Sequence, residues 1–377
     1  MADEPISATD LFLAQNGAVP GDPADPKKVP YYLLIVGDPA AVPYEFQIQL
    51  AVVYAVGRIY FETLDEYRQY AQSVVAAAQA ENRRARAATF FGTANKNDNP
   101  TNRSAVELVA PLATALTAQY ADWSIRSMVG PGQAEKAQLA TVLGGAQTPA
   151  LLFTATHGMG FTSGDARQLA DTGALLCQEW VRAPTNVVPI DKKIYFSAED
   201  VAPNAQLLGS IVFTFACYSA GSPQIDQFPK VAGQIKTIAP QPFLARLPQT
   251  LLAHPNGGAL AVIGHVDRAW TTSFSFREPV LNLKISAIET FASTLSEIMS
   301  GNPLGAAFDY FAGRYATYAT RLTGLKNRLN LGQKVDNLVV SSYWRYHNDA
   351  RNYIIIGDPA VQLNLAPPIP AGGGPVG

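Results

Sequence analysis

Two apolar runs end abruptly at residues that carry thiol chemistry, and they constrain the fold of this chain more than any other feature. One is Leu151-Leu152-Phe153-Thr154-Ala155-Thr156-His157-Gly158. The other is Ile211-Val212-Phe213-Thr214-Phe215-Ala216-Cys217-Tyr218-Ser219-Ala220-Gly221. Each is a short apolar run, rich in β-branched and aromatic residues, and closed by small or turn-forming residues. Strands buried on both faces of a parallel sheet have this pattern. Ligands of open α/β sheets bind beyond the carboxyl ends of the strands. If the two runs are neighbours, His157 and Cys217 therefore emerge at one rim.

Similar runs recur at Tyr31–Val36, Val52–Ile59, Thr89–Phe91, Trp123–Val129, Ala259–Gly264 and Tyr353–Ile356. Helical patterns separate several of them. One follows Thr63, where Glu66 completes a capping box. A second is expected from Ser104 with Glu107 to about Tyr120, a third over 133–143, and others near 243–253, 278–300 and 303–330. Alternation of this kind implies crossover units and a mostly parallel, doubly wound sheet. The expected organisation is an extended lead-in over 1–30, a first α/β subdomain over 31–145, a second over 146–365, and a disordered Pro/Gly tail over 366–377. The turn-rich stretch 159–206 is expected to carry binding loops.

With 377 residues, 48% hydrophobic and 15% charged, the chain can bury a large core. Its formal charge of −2 gives no electrostatic case for nucleic acid or an anionic membrane. The basic cluster Arg83-Arg84-Ala85-Arg86 reads as a solvated helix end. No apolar run is long enough to span a bilayer, and the N-terminus lacks a signal-like core, so a cytoplasmic location is expected. The two cysteines, Cys177 and Cys217, have no metal-ligand spacing and fit a reducing compartment. No Walker sequence, no dinucleotide fingerprint after a strand and no H-E-x-x-H occurs. No cofactor or metal is expected.

Cys217 can attack an acyl carbon as its thiolate, and His157 can take and return the proton. The amides of Gly158 and Cys217 lie at the two turns, where they can hold an oxyanion. The two motifs resemble those of caspase-fold (clan CD) cysteine peptidases, in the gingipain-like branch, with CHAT-type peptidase domains as near neighbours. Four further segments resemble that branch in order: Tyr32–Asp38 with Val42-Pro43, Val56-Gly57-Arg58-Ile59, Gly258–Gly264 with Trp270, and Ile356-Gly357-Asp358-Pro359-Ala360. The resemblance implies a three-layer α/β/α caspase-like fold and a cysteine endopeptidase acting on protein or peptide. It implies Cys217 as nucleophile, His157 as general acid/base, Gly158 and Cys217 as oxyanion donors, and Trp270 as a wall for the residue before the scissile bond. The stretch Pro43–Leu50 lacks the Asp with which gingipains select a basic residue. Asp165, Asp226 and Asp267, in loops after the apolar runs, are the other acids placed to contact substrate.

Asp38 and Asp358 follow strand ends and are expected to cap turns, with orientation of His157 as a second role for one of them and Arg58 as a scaffold partner for such a carboxylate. Two other functions fit the same residues. One is a non-catalytic or partner-activated interaction module, held closed by the 159–206 loop in a bacterial signalling or defence assembly. The other is a serine hydrolase built on Ser219, with His254, His265 or His347 as its base.

Overall fold

The computed structural model describes residues 7–183, 190–228 and 235–368. Eight strands form one sheet: β1 (Tyr32–Val36), β2 (Ala55–Ile59), β3 (Ala87–Gly92), β4 (Ser124–Val129), β5 (Leu151–Ala155), β6 (Ile211–Phe215), β7 (Ala261–His265) and β8 (Tyr353–Gly357). Their spatial order is β1-β2-β8-β7-β6-β5-β3-β4. Every neighbouring pair is parallel except β7 with β8.

The apolar runs have the burial that their composition requires. β2, β5, β6, β7 and β8 are buried at every residue, whereas the edge strands β1 and β4 are partly exposed. Successive side chains point to opposite faces. Phe90, Phe153 and Phe213 join one core with Leu112, Phe291 and Phe311. Phe91, Leu152 and Val212 join a second with Leu139, Leu247 and Leu251. Helices therefore cover both faces of the sheet, giving three layers.

The boundary placed near residue 145 does not interrupt this sheet. Strands β5 to β8 fill its centre, with β1 and β2 on one side and β3 and β4 on the other. The lead-in is not wholly extended either. Ser7 caps a helix at Ala8–Gln15, accepting from the Asp10 amide at 3.0 Å. Leu13, Ala18 and Val29 then pack against Leu50, Tyr54 and Val56. Of the expected tail, residues 369–377 lie outside the described residues.

The Thr63–Glu66 capping box is present and opens the helix Leu64–Ala77. The helix expected over 278–300 starts only at Glu289, because Ser275–Arg277 and Lys284–Ser286 form a hairpin before it. A helix at Asn337–Arg351 had no counterpart in the sequence reading. Arg84 and Arg86 are not a free helix end: Arg84 donates to the Pro149 carbonyl, and Arg86 pairs with Asp122. No helix among the described residues is long and apolar enough to cross a membrane.

Candidate active site

Strand register decides where the two motifs meet. β5 and β6 pair in parallel with Ala155 opposite Phe215, and the Thr156 amide continues the ladder to the Phe215 carbonyl at 3.2 Å. His157 and Cys217 each lie two residues beyond that pair. They leave the same edge of the sheet from adjacent strands, which stand about 4.8 Å apart.

The Cys217 turn is built by the backbone. Tyr218 holds a left-handed φ of 57°, uncommon for a residue with a side chain. Its amide donates to the Asp267 carbonyl at 2.8 Å, and the Ala220 amide donates to the His265 carbonyl at 3.0 Å. Ser219 is buried inside the turn. Its hydroxyl lies 2.9 Å from the Ala216 carbonyl and 3.1 Å from the Thr214 carbonyl, and accepts from the His265 amide at 3.0 Å. A hydroxyl so committed is not a nucleophile, and the serine-hydrolase reading fails here. The proposed bases are committed as well. His265 bonds to the carbonyls of Asp267 and Asp349, His254 contacts the Ala202 carbonyl, and His347 contacts Asn348.

Gly158 has a packing reason to be glycine. A Cβ there would lie 1.7 Å from the Cys217 carbonyl oxygen. Gly173, at φ +83°, faces the Tyr218 carbonyl in the same way, at 2.3 Å. The loop after β5 is thus laid directly on the cysteine turn. The absent Cβ makes room for that turn.

His157 is positioned by side chains. Its Nε2 lies 2.9 Å from Asp98 Oδ2, and the Trp180 ring meets the imidazole edge-on at 5.5 Å. Asp98 is about 1% exposed. The amide and hydroxyl of Thr101 also donate to its Oδ2, and Arg182 donates to Oδ1 at 3.0 Å. Burial pushes the Asp98 carboxyl up, but hydrogen bonding and charge from His157, together with the Thr101 bonds, outweigh it. The net effect holds the group well below the ordinary carboxylate range. Asn95 steadies the strap above the ring by donating to the carbonyls of Cys177 and Trp180. An open cleft of about 580 Å³ lies on this side, lined by Asp98, His157, Met159, Trp180, Arg182 and Ile194. Much of that lining comes from 159–206, as expected of its loops.

Asp98 was missed in the sequence because Asn95–Asn102 reads as a polar loop. In fact the helix begins at Asn99, not at Ser104, with Asp98 as N-cap and Pro100 in the first turn. The Asp-Asn-Pro sequence was the available signal. Neither Asp38 nor Asp358 orients the histidine. Asp38 accepts from the amides of Ala40 and Ala41, and Asp358 from that of Ala360. Arg58 pairs with no carboxylate among the described residues; it is fully buried and donates to Gln47 and the carbonyls of Gly37 and Pro43.

Beside Cys217 runs the segment after β7. The sulfur lies 3.7 Å from the Ala269 carbonyl, and the residue is partly exposed. Burial pushes the thiol up to about 11, with the backbone of Ala269 and Gly158 and the charge of Arg268 opposing that rise and Asp267 adding to it. No hydrogen bond joins His157 to Cys217 among the described residues. Cys177 is buried, and burial pushes its thiol up further.

Trp270 adjoins this segment and packs on Phe228 at 5.4 Å. The three acids expected to contact substrate are already engaged. Asp165 is paired with Arg167 in its own turn. Asp226 holds Arg268 and the Phe228 amide. Asp267 is fully buried and accepts from the Arg268 amide at 2.6 Å.

Comparison with known proteins agrees with this fold. No curated protein matches the chain. Among solved structures it is similar to the Arg-specific cysteine proteinase gingipain R (RgpB), at 14% identity and a TM-score of 0.53, covering 96% of this chain and 69% of that one. It is also similar to the complex of Porphyromonas gingivalis RgpB pro- and mature domains, at 13% identity and a TM-score of 0.53, covering 95% and 70%. These likenesses show the caspase-like fold. The model of peptidase family C25 matches residues 21–364, nearly the whole chain, and the chain belongs to that family.

Proposed function

We propose that this cysteine peptidase is an endopeptidase acting through a thioacyl-enzyme on Cys217. The carrying observation is the β5–β6 register, which delivers His157 and Cys217 to one sheet edge while Asp98 holds the imidazole. With Nε2 turned to the ionised Asp98, the proton on that nitrogen is held by the carboxylate, and Nδ1 is the nitrogen left to act as acceptor. Nδ1 receives the thiol proton as Sγ bonds to the scissile carbonyl carbon. It returns the proton to the amine as the carbon–nitrogen bond breaks. Water then hydrolyses the thioester by the reverse proton route. The amides of Gly158 and Cys217 supply the oxyanion donors.

A thiol held near 11 at rest, with no hydrogen bond to His157 among the described residues, supports a second reading in which a partner or substrate triggers reactivity. Peptide hydrolysis by the isolated chain tests both. Activity that disappears in Cys217→Ala and in His157→Ala supports the endopeptidase. Activity that survives either substitution overturns the assignment, and activity seen only with an added protein favours the triggered module.

A further inference from the structure

Against the segment after Cys217's neighbour Ala269 lies an exposed guanidinium with no ion-pair partner among the described residues, and this points to a substrate class. Trp270 follows Ala269, whose carbonyl lies 3.7 Å from the sulfur, and two guanidinium groups approach its ring: Arg268 at 5.8 Å and Arg345 at 5.6 Å. The carboxylates nearby are all engaged. Asp226 is paired with Arg268, and Asp267 is sealed against the amides of Gln227 and Arg268. Asp349 is fully buried and accepts from the Trp270 amide and from the hydroxyls of Thr272 and Ser273. None is left to receive a basic side chain.

The cations are not balanced in the same way. Arg268 is met by Asp226, but Arg345 is exposed and makes no ion pair or hydrogen bond among the described residues. Arg345 stands on the helix Asn337–Arg351, which is fixed to the site by Asp349 and by Asn348, a donor to the Gln227 carbonyl at 3.2 Å. A guanidinium lying on an aromatic face keeps its N–H edges free for a bidentate carboxylate.

We propose that Arg345, whose guanidinium lies over the Trp270 ring in the segment that begins at Ala269, selects peptides with Asp or Glu immediately before the scissile bond. The assignment rests on the cysteine-peptidase reading of Cys217. It reverses the basic preference named for the gingipain R structure.

Three peptidyl acyloxymethyl ketones test it, identical except for Asp, Ala or Arg next to the warhead, with labelling rates measured and the adduct mapped. The aspartyl probe is expected to modify Cys217 about 10- to 100-fold faster than the alanyl probe, and the arginyl probe most slowly. Arg345→Ala should bring the Asp-to-Ala ratio near one, and Arg345→Glu should put the arginyl probe ahead of the aspartyl probe. Wild-type labelling at one rate by all three, or fastest by the arginyl or alanyl probe, overturns the selection and leaves the peptidase standing. An unchanged ratio in Arg345→Ala overturns the role of Arg345. If no probe modifies Cys217, the reading of Cys217 as the nucleophile of the isolated chain fails and the specificity assigned to it falls as well.

Discussion

The two sides of the sheet edge hold their functional groups by different means. On the cysteine side the backbone does the holding. Tyr218 turns the chain at φ 57°, Ser219 ties the turn from within, and Gly158 and Gly173 let the neighbouring loop lie on it. On the histidine side the holding is done by side chains: Asp98 at 2.9 Å, Trp180 against the ring, and Arg182 on the far carboxylate oxygen. Their buried acids differ accordingly. Asp98 meets the imidazole and is held below the ordinary carboxylate range. Asp267 is pushed above it by burial, which its backbone bonds and Arg268 only partly offset. A position set by the turn is lost when the turn is disturbed. An orientation set by one carboxylate is lost with its charge, while the fold survives.

The largest effect should come from Cys217→Ala, which removes the proposed nucleophile without filling or emptying the core. Peptide hydrolysis is expected to fall at least about a thousandfold, with the melting temperature close to wild type. Retained hydrolysis would make the turn a scaffold rather than a site.

Asp98→Asn should come next. Asn still caps the helix but no longer supplies the charge or keeps the histidine proton on Nε2. A fall in kcat of about 10²- to 10⁴-fold is expected, with KM little changed. A loss confined to KM would count against an orienting role. Stability supplies a second readout. The folded chain holds the Asp98 carboxyl below its unfolded value, so on acidification the unfolded chain takes up the proton first. The stability from this charge is present above about pH 4 and lost as pH falls below it. The difference in unfolding free energy between wild type and Asp98→Asn should shrink over that acidic range.

The cysteine side breaks through sterics. Gly158→Ala places a carbon against the Cys217 carbonyl, which is backbone and cannot rotate away. A loss of about 3 kcal/mol in denaturant unfolding is expected. Gly160→Ala meets only the edge of the Tyr218 ring, at 3.0 Å, and should cost much less. Equal costs would show that the loop is not seated on the turn. The smallest effect is Ser219→Ala, which orphans the His265 amide for about 1–2 kcal/mol while Cys217 remains active. Loss of activity here with a folded protein would revive the serine.

This contrast also separates what the sequence revealed from what it hid. Strands β5 to β8 were legible because burial on both faces leaves an unbroken apolar run, and His157 and Cys217 were legible as the ends of two such runs. Their adjacency needed the resemblance, since strand order leaves no local trace. Asp98 was hidden because its partner lies 59 residues away and its neighbours are polar. The helix Asn337–Arg351 was hidden because it buries Tyr343, Tyr346, Asn348 and Asp349 rather than an aliphatic stripe. Arg345 could be valued only once Asp226, Asp267 and Asp349 were seen to be occupied.

A crystal structure of the chain covalently modified by a peptidyl acyloxymethyl ketone tests the shared site most directly. The expected result is an adduct on Cys217, with its carbonyl oxygen within hydrogen-bond distance of the Gly158 and Cys217 amides and His157 still held by Asp98. An adduct on Cys177, or one on Cys217 pointing away from the Gly158 amide with His157 detached from Asp98, would contradict it.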